Sequence, residues 1–192
     1  MKMFAGVLIG LAIGSLPSVA ADVTVFDTLS AHCGKAYKGE VVRYNESDDA
    51  WRSAELILHI RDCSDHEIKM PLHVGENRSR ILSVTKTAEG LRLKHDHRHA
   101  DGHPDAVTLY GGDTVRGADL SAQSVAFLVD DFSIKMFKEN GLTASVTNVW
   151  HMGAEEGSFT YRLTRKNRDF MINFDLSKPV QIPPAAWDKL GH

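Results

Sequence analysis

Three histidines at alternate positions, His95, His97 and His99, are the side chains of this sequence whose type and spacing best suit chemistry. They lie in the run Leu91-Arg-Leu-Lys-His-Asp-His-Arg-His99, continued by Ala-Asp-Gly-His-Pro-Asp105, which holds four of the ten histidines. Successive side chains of a β-strand point to opposite faces. The three imidazoles then share a face with Leu91 and Leu93, and Arg92, Lys94, Asp96 and Arg98 take the other. The leucines set the register, because a one-residue slip would bury the charged row instead.

An inward imidazole face reads as a binding site for a small molecule or a metal. Zinc accepts imidazole at about 2.0–2.1 Å, and copper and nickel also suit it. His59, His73, His103 or His151 could complete a ligand set, His73 least well because it opposes Leu72 and Val74. Two readings of the same residues need no ligand. One is a polar hairpin end, with the imidazoles paired to Asp96, Asp101 or Asp105. The other is a hydrogen-bonded polar layer inside the protein. Asp96, Asp101 and Asp105 lack EF-hand spacing and read as turn residues or ion-pair partners. Tyr110-Gly-Gly-Asp113 reads as a glycine-rich turn, and no Gly-Lys-Ser/Thr follows it to make a phosphate loop. Asp130-Asp131 and Glu155-Glu156 are adjacent carboxylates that would diverge on a strand. Neither a Gly-x-Ser-x-Gly elbow nor a His-Glu-x-x-His motif occurs.

The elements that would position these groups read mostly as strands. Runs at 40–44, 54–60, 68–74, 80–86, 90–99, 105–110 and 142–151 alternate or are β-branched, and Pro71 argues for an edge strand or a bulge. The clearest hairpin pairs Phe159, Tyr161 and Leu163 with Phe170, Ile172, Phe174 and Leu176 across a Lys166-Asn167 turn. Residues 23–31 suit a short helical turn, 130–140 fit helix or strand, and 184–190 suit a short terminal helix anchored by Trp187. The expected fold is all-β: an antiparallel meander barrel, or a related sandwich, with a short N-terminal turn and a short C-terminal helix.

Two ends of the chain resemble the lipocalin-like (calycin) barrels, including fatty-acid-binding-protein-like and nitrobindin-like ones. Leu29-Ser-Ala-His-Cys-Gly34 followed by Lys-Ala-Tyr-Lys-Gly39 resembles the turn into their first strand, with Gly34-Lys-Ala-Tyr37 in place of the usual Gly-x-Trp. The stretch from Phe159 to Asp175 resembles their closing hairpin. The overall pattern also resembles small exported bacterial proteins. The resemblance implies a barrel and carries no site motif onto His95, His97 or His99.

Residues 1–21 read as a signal peptide: Lys2, an apolar stretch from Phe4 to Leu16, and a small-residue cleavage site at Ser18-Val-Ala20. The apolar run is shorter than the ~20 residues a span needs, so stable membrane insertion is not expected. Residues 22–192, about 170 of them, then form a single barrel domain, expected to be monomeric. Cys33 and Cys63, a lone pair in an exported chain, read as a disulfide. Asn45-Glu-Ser47 and Asn77-Arg-Ser79 are glycosylation acceptors only in a eukaryotic host. With 22 basic and 25 acidic residues the chain carries a formal −3, which argues against nucleic acid as a partner.

The expected function is that of a secreted or periplasmic barrel binding a small ligand or metal ion such as zinc, and not an enzyme. The alternatives are a His-ligated metal-dependent hydrolase or lyase, which would also need a general base, and a structural envelope-interaction protein.

Overall fold

The computed structural model describes residues 23–155 and 157–189, so the expected signal segment lies outside the described residues. The strands are β1 (Lys35–Arg43), β2 (Leu56–Ile60), β3 (Asp62–Cys63), β4 (Glu67–Val74), β5 (Asn77–Thr87) and β6 (Gly90–His97). After them come β7 (Tyr110–Asp113), β8 (Ser124–Leu128), β9 (Val149–Glu155), β10 (Ser158–Arg165) and β11 (Arg168–Val180). Neighbours pair antiparallel in the order β7-β6-β5-β4-β2-β1-β11-β10-β9-β8, with β3 attached to β4. A single bridge between Thr114 and Phe127 joins the two ends of this path, so the sheet curls into a nearly closed barrel. No helix among the described residues is long and apolar enough to cross a membrane.

The seam between β7 and β8 depends on two glycines. A Cβ on Gly112 would stand 1.7 Å from the Leu128 carbonyl oxygen, and one on Gly111 2.0 Å from that of Leu93. Tyr110-Gly-Gly-Asp113 is therefore a strand, not the expected turn. Its glycines let three backbones approach where side chains would hold them apart. Asp130 N donates to Gly111 O at 2.9 Å across the same seam.

Helix α1 (Val25–Ala31) closes one end of the barrel. A capping box between Thr24 and Asp27 fixes its start, and Val25, Phe26 and Leu29 are buried. The Cys33–Cys63 disulfide ties the turn after α1 to β3. The chain's second and third helices, α2 (Asp49–Ser53) and α3 (Asp131–Glu139), lie towards the other end. Asp130 caps α3 by accepting from Ser133 N, which decides in favour of helix a stretch whose apolar spacing suited both periods.

Several local expectations change. Residues 143–147 form a 3-10 turn ahead of β9, not the start of a strand. The terminal helix is one 3-10 turn at Trp187–Lys189. It lies against the outer face near β5, where Arg78 donates to Ala185 O and Arg61 pairs with Asp188 at 2.7 Å. Pro71 sits in an interior strand, at the gap between the β2 pairing of Leu58 with Leu72 and the β3 pairing of Asp62 with Lys69. A residue without an N–H is tolerated where the neighbouring ladder is interrupted.

Candidate functional site

The inward rows change character along the barrel. On β6, Leu91 and Leu93 fill the closed end, and His95 and His97 follow towards the open one. On β5, Val84 and Leu82 give way to Arg80. On β10, Phe159 is succeeded by Tyr161, Leu163 and Arg165. The polar ends of these rows line a cavity of about 440 Å3 together with Trp51, Asp105, Tyr110, Phe137, Trp150 and Arg168. Residues 142–148, Trp51 of α2 and the loop at 105–107 rim its mouth.

His95 is fully enclosed, with 3% of its surface exposed. Its Nδ1 lies 3.1 Å from the Tyr110 carbonyl oxygen, which can only accept, so Nδ1 carries the proton. Nε2 must then accept, and the Tyr161 hydroxyl donates to it at 2.8 Å. The imidazole stacks on Tyr110 at 4.6 Å between ring centres and lies 5.1 Å from Trp150. Burial pushes the His95 pKa down to about 3, against the help of the Tyr110 carbonyl. Burial, then the Arg80 charge, brings His97 to about 4. The Tyr110 hydroxyl sits 3.1 Å from His97 Nε2. Both histidines are thus neutral at pH 7.

Strand alternation therefore brings His95 and His97 into the interior, and His99 not. Strand β6 ends at His97, and the His99 side chain is 59% exposed, 3.8 Å from Asp105. His103 is exposed beside Asp101 at 3.2 Å, and His151 points outward to Thr164 Oγ1 at 3.0 Å. Among the described residues, no group of three or more His, Cys, Asp or Glu side chains is placed to hold a metal ion. The lone pair that a metal would need on His95 Nε2 already accepts from Tyr161. The geometry at His95 and His97 is that of a hydrogen-bonded polar layer, and at His99 that of a polar hairpin end.

The arginines are what the histidine pattern left out. Arg80 shares the inward face of β5 with Leu82 and Val84, and this alternation is visible in the sequence. Its guanidinium lies 4.9 Å from the centre of the Trp51 ring. Arg168 pairs with Asp48, which is 1% exposed, at 2.5 Å, and its Nε is buried without a partner. Arg165 donates to Asn148 Oδ1 at 3.0 Å. Tyr161, Trp150 and Trp51 join this set from strands and a helix far apart in sequence.

Comparison with family models, with curated proteins and with solved structures finds no match to this chain. What the site can do rests on its own geometry.

Proposed function

We propose that this protein is a lipocalin-like binding barrel that takes one small organic ligand into the cavity beside His95. The observation that carries this reading is the cavity itself. A pre-formed hollow of about 440 Å3 is walled by Trp51, Tyr110, Phe137, Trp150 and Phe170, with a few convergent polar groups. Ligand sites commonly occupy about 300–1,000 Å3 with such a lining. The Cys33–Cys63 disulfide supports a secreted or periplasmic location, since such bonds persist in oxidising compartments. Catalysis is not part of the proposal, because His95 is locked between two fixed partners at pH 7.

The test uses the neutral dye N-phenyl-1-naphthylamine, which brightens in apolar surroundings. Saturable enhancement with one site per chain is expected. It should be lost in Leu163→Trp, which fills the cavity, provided that variant keeps the native circular dichroism. Dye enhancement that is absent, or that persists in the filled variant, would overturn the reading.

A further inference from the structure

We propose that the ligand is a compact aromatic carboxylate, with Arg80 as its counter-ion and Trp51, Tyr110 and Trp150 as its walls. This rests on the cavity being a binding site and names what it selects.

The arginines differ in their partners. Arg61, Arg92, Arg98, Arg162 and Arg168 each meet a carboxylate. Arg80 meets none among the described residues. Its one side-chain hydrogen bond goes to Ser79 Oγ, at a long 3.4 Å. A guanidinium carries five N–H donors in a planar fork, so most of this fork is uncommitted. Burial weighs against its charge, and the only charged forms that would favour it belong to Tyr110 and Tyr161. Both phenols are held neutral by the same burial. A partly buried charge with no carboxylate beside it is stabilised when an opposite charge arrives to meet it.

The balance of charge around Arg80 points the same way. Arg80, Arg165 and Arg168 line the cavity against the single carboxylate of Asp105. Asp48 answers Arg168, and Arg165 is met by a neutral amide. His95 and His97 add no charge at pH 7. The chain as a whole is acidic, at a formal −3, so this cationic interior is local. It would draw an anion inward past an acidic exterior.

Shape selects among anions. A guanidinium fork matches a carboxylate through two parallel hydrogen bonds, and its stacking on an aromatic ring fixes the plane. Trp51 supplies that ring. Beyond Arg80, Tyr110 and Trp150 are stacked on one another, 29° apart with centres at 5.9 Å, and both line the cavity. A planar aromatic body can pack against these rings with little conformational entropy to lose.

The experiment displaces N-phenyl-1-naphthylamine from the oxidised protein with 2-naphthoate and with 2-naphthamide, which have the same body with and without the charge. Naphthoate should compete about tenfold or more better, the usual order for a charge-assisted hydrogen bond. In Arg80→Met the ratio of the two should fall to near unity, and Arg80→Gln serves if the Met variant does not fold. 2-Naphthalenesulfonate, a non-planar anion of the same charge, should compete less well than naphthoate. Equal competition by naphthoate and naphthamide would overturn the anion proposal while dye binding left the cavity reading standing. A carboxylate preference that survives in both Arg80 variants would overturn the role of Arg80. Loss of dye binding in the wild type would overturn both readings.

Discussion

Replacing Tyr161 with Phe removes one oxygen and almost no volume, so its effect isolates the polar layer. In the native protein that hydroxyl donates to His95 Nε2 at 2.8 Å. Tyr161 is 7% exposed and His95 3%, so the missing hydroxyl can be replaced only by water from the adjoining cavity, which sets the lower end of the cost. The variant therefore leaves one acceptor, His95 Nε2, without its partner. Such an orphan costs about 1–3 kcal/mol. No cavity contribution is added, because the ring is retained. A loss of about 1–3 kcal/mol follows, or about 2–12 °C in Tm for a domain of this size. The assay is urea unfolding of the oxidised protein, followed by tryptophan fluorescence. His95→Leu combined with Tyr161→Phe should cost less than the sum of the single changes, since both ends of the main hydrogen bond are then apolar. A single Tyr161→Phe variant within about 0.5 kcal/mol of wild type, inside the spread of ordinary surface changes, would refute the reasoning.

Other outcomes can be checked on the same protein. His95 has a folded pKa of about 3 against an ordinary 6.5, so below pH 6.5 the unfolded chain binds a proton that the folded one refuses. Stability should thus fall as pH drops from about 6.5 towards 4, by about 1.4 kcal/mol per pH unit from this residue. His73 and His97 act in the same sense. Urea midpoints that stay flat between pH 6.5 and 4.5 would contradict this. The Cys33–Cys63 bond closes a loop of 30 residues, so the Cys33→Ser, Cys63→Ser variant should lose about 3–4 kcal/mol, measured by the same unfolding assay. Gly112→Ala would drive a Cβ into the Leu128 carbonyl, and should cost about 2–3 kcal/mol or more, or prevent soluble expression. A Gly112→Ala protein with wild-type Tm would show that the β7–β8 seam is not tight.

The sequence reveals those parts of the fold in which neighbours along the chain are also neighbours in space. Leu91 and Leu93 assign the inward face of β6, and the same count places His95 and His97 inside. The count fails at His99 because alternation holds only while the strand lasts. After His97 the chain turns back through a Gly102 N–H bond to the His99 carbonyl. The β10–β11 hairpin is legible because its turn is local, with Asn167 taking the left-handed φ of 59°. Gly111 and Gly112 mislead, since their purpose is the approach of Leu93 and Leu128, which no nearby residue announces. Trp51 and Arg80 were hidden for a related reason. They meet across the barrel mouth, and the absence of a carboxylate beside Arg80 is a property of the assembled cavity. The period-two pattern could have flagged Arg80 as an inward charge next to Leu82 and Val84.

The pairing of β1 with β11 also governs when this fold can exist. The ladder's path begins and ends in mid-chain, at β7 and β8, while the first and last strands sit side by side near its middle. A growing chain can form the β4–β5–β6 hairpins early, but β1 has only β2 beside it until the last strand has been made. Contacts of such long sequence separation slow folding. If the proposed secreted or periplasmic location is reached by an unfolded chain, that delay is an advantage, because the barrel does not close before β11 is available. It also means that a truncation removing β11 would take away the partner of both β1 and β10 at once. Such a fragment would be two sheet pieces with raw edges, prone to pair with other copies.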